Sequence, residues 1–223
     1  MSSLLDIKME EPPINKNINC NFLLIISAPS GTGKTTICNY LLEQNSDLSL
    51  SISATTRPPR IGEVDGKNYF FMTKEQFDEK KHNNEFLEYA QVFDNYYGTP
   101  IDFVRNKIQN RLNVLFDIDW QGMRKIKKSG LFNIATIFLL PPSIDTLRER
   151  LKHRGDSLEQ IEKRIGGFTN DAEKANEYDY VVLNNDLEKT CNSINTIYKA
   201  EKIRFKKDRF LDFTNNHLLK TFL

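Results

Sequence analysis

A chain of 223 residues is long enough for one generous domain, or a core carrying a smaller inserted unit, and too short for a multidomain machine. Thirty-one Lys and Arg against thirty Asp and Glu leave a net charge of +1, so no bulk field draws the protein to nucleic acid or an anionic membrane, and any anion site has to be local. With 39% hydrophobic and 27% charged residues, and no apolar run near the ~20 residues of a membrane helix, the composition is that of a soluble globular protein.

Residues 1–20 are polar and place Glu10-Glu11-Pro12-Pro13 where a signal peptide would need a cationic start and an apolar stretch, so they read as a mobile leader. At Asn21 the pattern changes to Phe22-Leu23-Leu24-Ile25-Ile26, then a glycine loop, then Lys34-Thr35-Thr36-Ile37-Cys38-Asn39-Tyr40-Leu41-Leu42: buried strand, loop, helix. Residues 51–102 differ in texture, with short aromatic segments and turn signals at Pro58-Pro59 and Asp65-Gly66, and predict a small β-rich insert. Apolar runs return at 114–119, 134–140 and 181–183, the first two separated by a helical stretch around 121–128. Strands apolar on both faces that alternate with helices predict a parallel sheet covered on both sides, an α/β fold. A charged helical stretch at 144–168 follows Pro141-Pro142, with Arg150 and Arg154 on one face by i,i+4 spacing, and the tail alternates basic residues with Phe205, Phe210 and Phe213, which predicts a closing helix over 203–223. Cys20, Cys38 and Cys191 are odd in number and lack CxxC spacing, which speaks against disulfides or zinc and for a reduced, cytoplasmic setting.

The loop itself is Ala28-Pro29-Ser30-Gly31-Thr32-Gly33-Lys34-Thr35-Thr36. Between a buried strand and a helix, its backbone N–H groups and the helix N-terminus converge on phosphate oxygens, and side chains in place of the glycines would block that approach. Lys34 then neutralises β/γ-phosphates and the Thr35 hydroxyl ligates Mg²⁺. Ala28 stands where the phosphate-loop pattern has its first glycine, and no third glycine supports a dinucleotide fingerprint. Asp117 and Asp119 close the second strand: Asp117 is placed to act on the metal through water, whereas Asp119 reads equally well as a helix cap. In Ser53–Glu63, Arg57 and Arg60 flank a rigid Pro-Pro turn that holds two guanidinium forks at a defined separation, enough for one phosphate; spacing alone does not separate this from two solvated arginines.

The loop at 29–36, Ser53–Glu63, Asp65-Gly66-Lys67-Asn68-Tyr69-Phe70, Glu85-Phe86-Leu87-Glu88-Tyr89-Ala90, Asn95-Tyr96-Tyr97-Gly98-Thr99 and Asp117-Ile118-Asp119-Trp120-Gln121-Gly122 together resemble guanylate kinase over about residues 21–202. The resemblance implies a P-loop NTPase fold: a core at 21–50, 103–143 and 169–202, a GMP-binding insert at 51–102 and a helical lid at 144–168. It implies transfer of the γ-phosphoryl group of ATP to GMP in purine nucleotide recycling, with Mg²⁺. Arg57, Arg60, Tyr69 and Tyr97 match residues that bind the GMP phosphate, and Ser53, Glu88 and Thr99 match residues that read guanine, with Glu63 and Asp117 also on the GMP side. Arg150, Arg154 and Arg164 match arginines that converge with Lys34 on the transferred group, and Asn185 lies in the adenine-side motif. Guanine offers N1–H and N2–H₂ side by side to one ionised Glu88 carboxylate, where adenine has an acceptor at N1, so Glu88 selects G over A. A phosphopeptide-binding scaffold of the same fold, or a kinase for another monophosphate, are the alternatives; the intact phosphate loop weighs against the first, and Glu88 with Ser53 and Thr99 against the second.

Overall fold

The structure is a computed structural model and describes residues 21–92 and 94–204. The leader over 1–20, with Cys20, and the tail from 205 onward lie outside the described residues.

Five strands form a parallel sheet in the order β2-β7-β1-β8-β9: β1 (Leu23–Ser27), β2 (Leu48–Leu50), β7 (Asn113–Asp117), β8 (Ile134–Leu140) and β9 (Tyr180–Leu183). Register follows the apolar runs, with Leu23 opposite both Val114 and Ile134. Side chains alternate across a strand, and each face finds its own helices. Leu24 and Ile26 pack with Ile37 and Leu41 of α1 (Lys34–Gln44) and with Ile194 and Tyr198 of α7 (Leu187–Ile203). Leu23 and Ile25 pack with Val104 of α3 (Ile101–Gln109) and Met123 and Ile126 of α4 (Trp120–Ser129). Because both faces are covered, the central strands carry no polar alternation; all five residues of β1 are buried. Each apolar side chain so buried contributes ~1.5–3 kcal/mol, which makes β1 the anchor from which the phosphate loop departs.

The insert is a second sheet of mixed direction in the order β4-β3-β6-β5, made of β3 (Ala54–Thr55), β4 (Phe70–Phe71), β5 (Phe86–Val92) and β6 (Asn95–Pro100). One polar helix, α2 (Lys74–His82), covers it through a single buried residue, Phe77, whose ring stacks on Phe86 at 4.4 Å and on Tyr96 at 5.5 Å. The stretch at 144–168 resolves into two helices, α5 (Ile144–His153) and the start of α6 (Leu158–Glu173), broken at Gly155 and joined by Leu147, Leu151 and Ile161. Ser143 caps α5, and Ser157 with Gln160 forms a capping box on α6, so the break is specified locally. The C-terminal edges of β1, β7 and β9 lead directly into the phosphate loop, Asp117 and Asn184, which is where parallel sheets collect ligands.

Candidate active site

The phosphate loop is shaped by Gly31 and Gly33, at φ of 89° and 98°, and by Thr32, whose buried hydroxyl donates to the Pro29 carbonyl at 2.8 Å. A Cβ on Gly33 would lie 2.9 Å from Asn184 Nδ2, so β9 and the loop meet too closely for any other residue. The loop residues 28–36 line a cavity of about 420 Å³ together with Arg150 and Arg154. Lys34, the first residue of α1, crosses to the end of β7 and pairs with Asp117 Oδ1 at 2.6 Å, while the Thr35 hydroxyl belongs to an exposed residue on the same wall.

Three arginines close on this loop from α5 and α6. Arg150 donates to the carbonyls of Thr32 and Asn184 at 3.4 and 3.1 Å. Arg154, the C-cap of α5, and Arg164, one helix further on, both donate to Ser30 Oγ, at 3.3 and 2.7 Å. Asp156 holds the two together: it accepts from Arg154 Nε and Nη2 and pairs with Arg164 Nε at 3.1 Å, and the Arg154 guanidinium keeps its carboxyl below the usual range. Asp156 had no sequence signal beyond its place in a short turn. Asn184, not its exposed neighbour Asn185, meets the loop, donating from Nδ2 to the Thr32 carbonyl at 2.6 Å. Asp119 is the N-cap of α4, accepting from Gly122 N at 2.9 Å, which selects the capping alternative for that residue.

In the insert, Arg57 donates from Nη2 to both Glu63 oxygens, at 2.8 and 2.9 Å, and lies 5.5 Å from the Tyr69 ring, which meets Tyr97 edge-on at 6.0 Å. Glu63 also accepts from the backbone N–H of Arg60 at 2.7 Å, while the Arg60 residue itself is exposed. The Arg57 guanidinium, with the Arg60 N–H, holds the Glu63 carboxyl down. Ser53 lies beside them on the approach to β3, its carbonyl accepting from Phe70 N at 2.9 Å. Glu88 sits on β5, not on a helix, opposite Thr99 of β6, and accepts from the fully buried Thr99 hydroxyl at 2.8 Å. Burial pushes the Glu88 carboxyl up, and the Thr99 hydrogen bond and the Lys125 ammonium oppose the rise. The Glu88–Thr99 pairing needs Gly98 beside it, since a Cβ there would meet the Glu88 carbonyl at 3.0 Å.

A family model described as "Guanylate kinase" matches residues 21–201. The chain belongs to the guanylate kinase family. It is 49% identical over 185 residues to the guanylate kinase of Rickettsia felis, spanning 82% of this chain and 96% of that protein. To the guanylate kinase of Wolbachia pipientis wMel it is 43% identical over 188 residues, 84% of this chain and 94% of that one. Among solved structures, the guanylate kinase from Anaplasma phagocytophilum matches with a TM-score of 0.67 at 32% identity, covering 88% of this chain and 95% of that chain. The insert, the phosphate loop and the three arginines thus lie within the part of the chain the family model spans.

Proposed function

We propose that the protein is an ATP:GMP phosphotransferase in which the cavity under the phosphate loop takes ATP and the insert takes GMP. The observation that carries the assignment of the acceptor is the Glu88–Thr99 pair: one carboxylate oxygen is fixed by a buried hydroxyl, leaving lone pairs to accept guanine N1–H and N2–H₂ together. Ser53 and Thr99 complete the guanine side, and Arg57, Arg60, Tyr69 and Tyr97 take the GMP phosphate, with Asp117 bordering the acceptor. Asn184 and Asn185 flank the adenine side.

Phosphoryl transfer needs positioning, charge neutralisation and exclusion of water, with no covalent protein intermediate. Lys34 neutralises the β- and γ-phosphates, the loop N–H groups orient them, and Arg150, Arg154 and Arg164 supply charge to the migrating group as α5 and α6 close over it. The donor set at the loop suits a hard divalent cation, with hydroxyl and carboxylate oxygens from Thr35 and Asp117 and no sulfur or imidazole. Thr35 would hold Mg²⁺ directly and Asp117 through water. When bound, the ion supplies further neutralisation of the phosphate oxygens. Cys38 and Cys191 are buried free thiols, which supports a reducing, cytoplasmic setting; among the described residues no helix is long and apolar enough to cross a membrane.

The test is turnover with ATP, Mg²⁺ and each of GMP, AMP, UMP and dTMP, followed as ADP formation. GMP alone should support turnover; a better rate with another acceptor overturns the reading of Glu88, and none with any acceptor overturns the kinase. Lys34→Ala should lower kcat more than it raises KM for GMP, and Arg57→Ala should do the reverse.

A further inference from the structure

Glu88 reads guanine only as the anion, and its surroundings set how much of it is ionised. The charged groups acting on it come from α4: Lys125 favours the anion, while Asp119 opposes it, as does burial, with Thr99 donating from β6. Lys125 stands in a defined relation to the strand that carries Glu88. β5 is an edge strand, paired only with β6. The Glu88 carbonyl lies toward Gly98 of β6, and successive carbonyls along a strand point opposite ways, so that of Tyr89 leaves from the free edge. There it accepts a hydrogen bond from Lys125 Nζ, which also sits 5.2 Å from the Tyr89 ring centroid. Lys125 is on the exposed side of α4; the other side, through Met123 and Ile126, is fixed in the core. One lysine therefore ties the core to the insert at the residue after Glu88. Lys81 of α2, 5.1 Å from the same ring, belongs to the insert and makes no such tie.

We propose that Lys125 is a positioning residue for guanine recognition: its hydrogen bond to the Tyr89 carbonyl anchors β5 to α4 and keeps a positive charge beside Glu88, so that the side chain meets GMP as a carboxylate. This rests on the assignment of Glu88 as the guanine reader. Removing the charge makes the carboxylate easier to protonate, so at a given acidic pH less of the enzyme is competent for GMP. The effect fades where Glu88 is ionised in both proteins. A helix residue that only braced the fold would lower turnover evenly across pH.

The experiment measures kcat and KM for GMP at saturating ATP and Mg²⁺, from mildly acidic to mildly alkaline pH, for the unaltered protein, Lys125→Met, Lys125→Arg and Glu88→Gln. In Lys125→Met the acid limb of kcat/KM for GMP should move to higher pH. The acid-side loss should be about two- to fivefold, the size of a solvent-accessible ion pair. At alkaline pH kcat should be unchanged, and Lys125→Arg should restore the limb. A limb that superimposes on that of the unaltered protein, or an even loss at every pH, overturns the role of Lys125. Glu88→Gln separates the two levels: unimpaired GMP kinetics there end the underlying assignment, whereas impaired kinetics with an unmoved Lys125→Met limb end only the proposal.

Discussion

Replacing Asn184 by alanine cuts the joint between β9 and the phosphate loop without touching the nucleotide side of either. The residue is 2% exposed; its N–H donates to the Leu140 carbonyl and its carbonyl accepts from Arg150, and both bonds survive the substitution. What is lost is the 2.6 Å bond from Nδ2 to the Thr32 carbonyl. Such a bond is worth ~1 kcal/mol net, and a buried carbonyl deprived of its donor costs ~1–3 kcal/mol. Thr32 keeps Arg150 Nη1 at 3.4 Å, and the Asn184 Oδ1 atom, buried without a partner, disappears, so the loss falls at the low end, ~1–2 kcal/mol. For a domain of this size that lowers Tm by about 2–8 °C. With the Thr32 carbonyl free to turn, KM for ATP should rise about three- to tenfold, the equivalent of most of that energy, while KM for GMP stays put. Calorimetry and initial rates measure both. An unchanged Tm together with an unchanged KM for ATP would refute the joint, and a rise in KM for GMP as large as that for ATP would refute its local action.

Other consequences are as direct. Glu88→Gln turns one acceptor into a donor facing guanine donors, so kcat/KM for GMP should fall by ~10²–10⁴-fold, with Tm moved by no more than a few degrees; a loss under threefold in steady-state assays would contradict the guanine assignment. Gly33→Ala forces an L side chain into positive φ at ~1–2 kcal/mol and drives its Cβ against Asn184, so ATP-dependent turnover should drop by at least about tenfold, measured at saturating GMP. Burial pushes the Cys38 thiol up to about 12 from an ordinary 9.0, so iodoacetamide should leave it unlabelled in the native protein near neutral pH and label it after unfolding, read by peptide mass spectrometry. Folding here favours the thiol, so its contribution to stability is complete below pH 9.0 and is lost as pH rises from there toward 12.

The core was legible because each of its strands had to be apolar on both faces: the run at 134–140 is β8 to the residue, and the loop and α1 follow from glycines placed between strand and helix. Elements that bury little left little trace. α2 holds itself to the insert by Phe77 alone and shows no apolar stripe; its one signal was the capping box of Thr73 and Gln76. β2 is a three-residue edge strand with a single buried side chain, too short for any period to register. At the site, residues named by their chemistry, such as Lys34 and Arg57, could be picked from spacing and resemblance. Asn184, Asp156 and Lys125 act by holding another group, and their partners are 152, 2 and 36 residues away in the chain, separations at which only the folded geometry pairs them.

Before any nucleotide arrives, three of the cations already hold carboxylates of the chain itself: Lys34 holds Asp117, Arg57 holds Glu63, and Arg154 with Arg164 holds Asp156. Nucleotide entry is thus an exchange of one anion for another. The rotamer freedom of these long side chains was surrendered when the protein folded, so the incoming phosphate finds them already aimed. The displaced acids stay tethered close by, ready to retake their partners and help expel the products once transfer is done.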